Sequence, residues 1–374
     1  MTIDQILSRG VENILPSKEA LVDLLQQRKI TLYQGFDPTA PSLHIGNFIG
    51  LRKLSQFQKL GHKVIFLIGD FTAMVGDPTD KSAARQRLTK HEVQENLKDY
   101  KAQASKILNF EGENAAEIKF NSDWLAKLNF EDILELTSNF TVQQFIERDM
   151  FQERLKAGKP IHLHEFLYPL MQGYDSLFMD VDLEIGGNDQ LFNMLPGRTL
   201  LKTLKNKEKY ILTMKLLTDP SGKKMGKTEG NVINLSDSGE DIYGKIMALP
   251  DSLIEPGFEL LTDLALPNKD SMIQKKLLAS DLVRQIHGEE ASKNAQNHFE
   301  STFQNKTPDF SEEIEASGNL ATTIAETGMT VSEAKRLISQ NAVDVNGSTI
   351  TDFTYTPQSG DKIKVGKKKF ITIK

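Results

Sequence analysis

The sequence predicts an α/β fold: a parallel sheet carrying a helical insertion, then a helical segment, then a small α+β block. Three observations lead there. A strand–turn–helix–strand pattern occupies residues 29–68, helical patterns dominate 241–303, and a helix with short strands closes the chain after a polar stretch. At 374 residues the chain exceeds one ordinary core, so two or three domains are expected.

The first unit opens with Lys29–Tyr33, read as a strand, and a turn over 35–41. After His44 the apolar residues Phe48, Leu51, Leu54, Phe57 and Leu60 recur at helical spacing until Gly61 stops them. Val64–Ile68 reads as a buried strand, which completes a unit of the dinucleotide-binding kind. Glycine-rich strand ends follow at 69–72 and 76–79, and Thr89 with Glu92 forms a capping box before a helix expected to reach Leu108. Residues 110–159 read as an inserted helical block, with segments around Trp124 and Ile133 and a longer one from Val142. A helix over 163–178, a strand into Gly186-Gly187 and a helix from Asp189 complete the domain, which is drawn as 1–230. A helical domain over 231–303 and a linker over 304–319 follow. The last block, 320–374, has a helix over 331–340 and strands near 343–345, 362–365 and 370–373.

Composition narrows the class. With 39% hydrophobic and 26% charged residues the chain is globular, not disordered. It has no cysteine, which removes disulfides, thiolate zinc sites and a thiol nucleophile, and fits a reducing cytoplasm. The first 25 residues lack an apolar signal core, and the longest apolar run, Val64–Ile68, is far short of the ~20 residues a bilayer needs. Neither secretion nor membrane insertion is expected. The net charge of −6 does not announce a nucleic-acid binder, but residues 361–374 are basic, and local patches decide phosphate contact. Taken alone, that terminus reads equally well as a solubilising tail.

Two motifs bear on phosphate chemistry. His44-Ile-Gly-Asn47 stands at a strand–helix junction, where a glycine lets a nucleotide approach the backbone and the helix start favours phosphate. Lys224-Met-Gly-Lys-Thr228 lies in a later loop flanked by Gly222 and Gly230. Each by itself also reads as an ordinary turn. A third feature is a polar stripe, Tyr168, Gln172 and Asp175, at i, i+4 and i+7 of a strongly apolar helix. Such a stripe argues for a lined pocket. Gly186-Gly-Asn-Asp-Gln190 allows close backbone approach, although a capped glycine turn would look the same.

Together the first two motifs resemble the HIGH and KMSKS signatures of class I aminoacyl-tRNA synthetases, with Asn47, Gly226 and Thr228 as departures common in the tyrosine branch. The stripe resembles that branch's tyrosine-binding helix, and residues 186–190 resemble its GGxDQ strand end. The resemblance implies that Tyr168 and Gln172, with Asp77 and Thr72, contact the ammonium of L-tyrosine, and that Asp175 and Tyr33 meet its phenol. Phenylalanine would then leave Asp175 and Tyr33 unpaired, an asymmetry for which the tyrosine enzyme is itself the standing example. It places Gln190 near the reacting centre. Gly35, Asp37, His44, Gly46, Asn47, Gly187 and Asp189 fall to ATP, with Leu216 and Leu217 flanking adenine and Lys224, Lys227 and Thr228 on the phosphates. Thr39, His44, Lys81, Arg85, Lys224 and Lys227 are the implied catalytic donors. Mg2+ is expected only as the ATP complex.

The last block resembles the RNA-binding fold of ribosomal small-subunit protein S-four, which implies phosphate contacts from Arg336, Lys362, Lys364, Lys367, Lys368 and Lys369. The implied activity is tyrosine activation followed by transfer to the 3′-terminal adenosine of tRNA(Tyr), by a homodimer joined through the inserted block. Two alternatives stand beside it. A tryptophan enzyme of the class is opposed by the Tyr33–Asp175 pair, and an inactive RNA-binding relative is opposed by His44, Lys224, Lys227, Asp189 and Gln190.

Overall fold

The structure is a computed structural model that describes residues 2–78, 88–218, 232–304, 310, 312–366 and 369–374. It divides into two compact units, 1–292 and 293–374.

The first unit is built on six strands: β1 (Val11–Leu15), β2 (Thr31–Phe36), β3 (Lys63–Ile68), β4 (Glu117–Phe120), β5 (Leu183–Gly187) and β6 (Tyr210–Met214). Their order is β1-β6-β5-β2-β3-β4. Strands β2 to β6 pair in parallel, and β1 closes one edge antiparallel to β6. The chain runs outward from β2 through β3 to β4, then crosses back to β5. The carboxyl ends of β2 and β5 therefore flank the switch point where open α/β sheets place their ligands.

The helix Ile45–Lys59 buries Phe48, Leu51, Leu54 and Phe57 completely. Gly61 follows with φ +82, a backbone that L side chains rarely adopt, which ends the helix where expected. The expected 163–178 helix spans His164–Met179. Other boundaries moved for physical reasons. The strand expected at 29–33 is shifted to Thr31–Phe36, because pairing with β3 over Thr31↔Lys63 to Phe36↔Ile68 sets its length. The Thr89 capping box forms, but its helix stops at Leu97 and resumes as Tyr100–Ala104. Both pieces are tied to the loop after β2: Asn96 Nδ2 donates to Pro38 O at 2.9 Å and Tyr100 Oη to Ala40 O at 2.8 Å. The segment from Val142 likewise splits into Val142–Ile146 and Asp149–Lys156. After β5 a short 3-10 turn, Asn188–Gln190, precedes the helix Leu191–Lys205.

Helices Gly239–Met247, Ile254–Leu261 and Ser271–His287 fall inside the first unit. Arg9 donates to Phe258 O at 2.7 Å and Glu259 O at 3.2 Å, and Arg52 pairs with Asp263. Contacts of this kind join them to the sheet domain from which the sequence separates them.

The second unit has helices Leu320–Ala325 and Val331–Ser339 against β7 (Glu312–Ile314), β8 (Val343–Val345), β9 (Ser348–Thr349), β10 (Lys362–Val365) and β11 (Lys369–Ile373), in the order β7-β11-β10-β8-β9. Ile324, Ile338, Val343, Ile363 and Ile371 are fully buried between them. The stretch expected as linker thus contains a strand: β7 pairs in parallel with β11. Its two glutamates are exposed and only Ile314 packs inward, so an edge strand looks like polar linker in the sequence.

Candidate active site

Asp37 follows β2 and accepts hydrogen bonds from Tyr168 Oη at 2.8 Å and Thr72 Oγ1 at 2.7 Å. A side chain at Gly69 would collide with Asp37 Oδ1, so only glycine lets these groups meet. Asp37, read as an ATP contact, is therefore also bound to the pocket helix. On the next turns of that helix Asp175 is 2% exposed and accepts from Trp124 Nε1 at 2.7 Å and Asn121 Nδ2 at 3.2 Å. Burial drives its carboxyl well above the ordinary range, opposed by these two donors. Asn121 Nδ2 also reaches Thr72 Oγ1 at 3.1 Å.

Tyr33 is fully buried, and its hydroxyl lies 2.7 Å from Ser176 Oγ and 3.5 Å from the main-chain carbonyl oxygen of Gln172. No hydrogen bond joins it to Asp175; Asp175 is one of the charges that, with burial foremost, raise the Tyr33 pKa. Gln172 Nε2 donates to Glu184 on β5 at 2.8 Å. At the end of β5, Gln190 Nε2 donates to Asp77 at 2.7 Å, and Asn193 Nδ2 reaches Asp77 at 3.1 Å and Gln190 Oε1 at 2.9 Å. Arg148 is nine-tenths buried. It donates to Asn193 Oδ1 at 3.1 Å and stacks over Phe192, and its Nη2 has no hydrogen-bond partner among the described residues.

His44 caps the helix Ile45–Lys59. Its Nδ1 accepts from Gly46 N at 3.1 Å and Asn47 N at 3.4 Å, while Asn47 Oδ1 accepts from His44 N at 2.9 Å. A neutral imidazole that accepts at Nδ1 carries its proton on Nε2, and an amide whose oxygen is engaged keeps its N–H groups as donors. Thr39 lies in the loop after β2, Gly35 is exposed near the end of that strand, and Leu216 lies against Gly187 with Asp189 beside it. Leu217 is buried. Lys81, Arg85, Lys224, Lys227 and Thr228 lie outside the described residues.

The expected basic cluster of the second unit divides. Arg336 and Lys362 are exposed, and Lys362 lies 5.5 Å over the Phe310 ring. Lys364 donates to Asp344 at 3.1 Å, and Lys369 is turned back onto the Thr327 carbonyl. The alternation along β10 puts Lys362 and Lys364 on one face, whereas Lys369 pairs with Val365 on the other. Lys367 and Lys368 lie outside the described residues.

Several site residues had no motif to betray them. Asn121 and Trp124 come from the inserted block, Glu184 precedes the glycine pair, and Lys209 hides in a charged run; only the lone tryptophan of the chain offered a signal.

A parallel sheet whose switch point gathers the His44 helix start, the polar pocket helix and the β5 glycine turn defines a class I aminoacyl-tRNA synthetase core. The family model for class I tRNA synthetases (W and Y) matches residues 25–304. The tyrosine--tRNA ligase of Thermotoga maritima is 41% identical over 99% of this chain and 96% of that protein. That of Carboxydothermus hydrogenoformans is 41% identical over 99% of this chain and 97% of its own. The crystal structure of a C-terminally truncated mitochondrial tyrosyl-tRNA synthetase from Coccidioides posadasii matches with a TM-score of 0.66 at 25% identity, covering 79% of this chain and 90% of that one. The chain belongs to the tyrosine–tRNA ligase family.

Proposed function

We propose that this chain activates L-tyrosine with ATP to tyrosyl-adenylate and pyrophosphate, then transfers tyrosine to the 3′-terminal adenosine of tRNA(Tyr). The observation that carries this reading is the buried Asp175 carboxylate, held by two donors with lone pairs left for a phenol. A buried acceptor of this kind favours tyrosine over phenylalanine, which would leave it unsatisfied. Tyr33 completes the phenol end. Tyr168, Thr72, Gln172, Asp77 and Gln190 supply the polar wall for the ammonium.

In the first step the ionised tyrosine carboxylate attacks the α-phosphorus of ATP, and the bond to the pyrophosphate oxygen breaks with its electron pair. No strong base is required. The protein's part is alignment and stabilisation of charge on the displaced phosphates. His44 Nε2–H and the Asn47 amide suit that task, joined by Thr39, Lys81, Arg85, Lys224, Lys227 and Thr228. Gly35, Asp37, Gly46, Gly187, Asp189, Leu216 and Leu217 would receive the rest of ATP, with Mg2+ arriving as its complex. In the second step the ribose hydroxyl of the tRNA end takes the acyl group and AMP leaves.

The second unit, of the S-four type, would hold tRNA phosphates through Arg336, Lys362, Lys364 and the lysines of 367–369. Exposed Phe130, Leu134, Val142 and Phe178 around the inserted block suit a homodimer interface, since isolated monomers rarely expose so many large apolar groups together. The cytoplasm is the compartment this chemistry fits; no helix among the described residues is long and apolar enough to cross a membrane. ATP–pyrophosphate exchange with tyrosine, phenylalanine and tryptophan tests the reading, with Asp175→Ala alongside. Exchange driven by tyrosine alone and abolished by the substitution supports it; exchange with tryptophan, or none, overturns it.

A further inference from the structure

Beneath the pocket helix lies an ion pair that no motif marks. Lys209, just before β6, is paired with Glu184 on β5, and their side chains are 0% and 2% exposed. Lys209 Nζ also donates to Met194 O at 3.0 Å. A Cβ at Gly197 would lie 2.6 Å from that Nζ, so the glycine makes room for it. A buried pair of this kind is a poor device for stability alone, because desolvating two ions offsets most of their attraction and apolar replacements often do as well. Its purpose is better sought in what the carboxylate holds.

Glu184 Oε1 accepts from Gln172 Nε2 at 2.8 Å, and its Oε2 from Ser176 Oγ at 3.4 Å. An ionised carboxylate only accepts, so the Gln172 atom facing it must be the NH2 group. The Gln172 carbonyl oxygen is thereby turned to the opposite side of the amide. Ser176 has one hydroxyl hydrogen, and giving it to Glu184 makes Tyr33 the donor in the 2.7 Å Tyr33–Ser176 contact.

We propose that Glu184, ion-paired with Lys209, is a positioning residue for tyrosine: it orients the Gln172 side-chain amide so that the amide oxygen accepts from the substrate ammonium. This rests on the tyrosine-activating reading above. Removing the acceptor frees Gln172 to present N–H groups to a cation, which repels it.

The test is pyrophosphate exchange with the full chain in two charge-free double variants. Glu184→Gln with Lys209→Met keeps a carbonyl acceptor for Gln172; Glu184→Leu with Lys209→Met removes it. The first is expected to hold tyrosine KM within about threefold of the unsubstituted protein, the second to raise it about tenfold or more, the scale of one charged hydrogen bond. ATP KM should not move in either. Inhibition by 3-(4-hydroxyphenyl)propionate, which lacks the amino group, should be equal in both. Equal tyrosine KM in the two variants overturns the proposal, and so does weaker inhibition by the propionate in step with tyrosine, which marks a structural role. If the leucine variant does not fold, Glu184→Gln alone replaces it. There Lys209 claims the amide oxygen, so tyrosine KM rises, and adding Lys209→Met must restore it; failure to restore overturns the proposal. An unsubstituted protein without tyrosine-dependent exchange overturns the underlying reading, and this inference with it.

Discussion

Tyr168 on the pocket helix donates its phenol hydroxyl to Asp37 at the end of β2, 2.8 Å away. One hydrogen bond thus couples the wall assigned to tyrosine with the loop assigned to ATP. Tyr168→Phe leaves a half-buried carboxylate short of one donor, at about 1–3 kcal/mol. Steady-state exchange should show KM rising for both tyrosine and ATP; a change confined to tyrosine would show that Asp37 transmits nothing.

Trp124 is the only tryptophan in the chain, and its indole N–H is one of the two donors that oppose the upward drive of burial on Asp175. Trp124→Phe keeps a ring against Phe178, whose own ring is stacked 4.6 Å away, and removes the donor. The Asp175 carboxyl then protonates more easily, so the acid limb of kcat/KM for tyrosine should move to higher pH. An unmoved limb would detach Asp175 from substrate binding. In the unsubstituted protein, intrinsic fluorescence should report tyrosine binding directly.

His44→Asn should separate the two parts played by the imidazole. Asparagine is as good a helix cap, so stability should change by less than about 1 kcal/mol. It cannot place a donor where Nε2 lies, and losing one donor to developing phosphate charge costs roughly 100-fold in rate. The expected result is a fall in kcat with tyrosine KM unchanged. A full-rate variant would remove His44 from the chemistry.

His62 is buried, and its Nδ1 accepts the Ile30 N–H at 3.2 Å. Burial lowers its pKa from 6.5 to about 4. Below pH 6.5 the unfolded chain binds a proton that the folded chain refuses, so stability is lost as pH falls from 6.5 towards 4, by on the order of 2 kcal/mol. Urea unfolding at pH 7 and 4.5 should show a smaller loss for His62→Asn. Parallel losses in the two proteins would refute the assignment.

Phe130 and Leu134 are 75% and 55% exposed, one turn apart on the helix Phe130–Thr137. A Phe130→Asp, Leu134→Asp protein loses little buried surface in the monomer and should sediment as a monomer, whereas the parent is expected to sediment as the proposed dimer. If both sediment alike, the association lies elsewhere or is absent.

The sequence by itself determined the order of elements around the site. The periodicity from Phe48 to Leu60, the strand–helix junction at His44-Ile-Gly-Asn47, the stripe on the 164–179 helix and the paired glycines at 186–187 are local signals, written in residues close together in the chain. The second unit's helix and its strands β8 and β10 were legible for the same reason. Tertiary structure alone decided what those residues touch. Trp124 and Asn121 reach Asp175 from about fifty positions away, and Lys209 reaches Glu184 from the residue just before β6. Strands β1, β4 and β6 were missed because edge or late strands owe their form to pairing partners rather than to pattern. A lysine in a charged run reads as solvated, and only folding reveals that one such lysine is buried against a carboxylate. Local periodicity fixes which face of an element is polar; the crossing of the chain from β4 back to β5 fixes which polar faces meet.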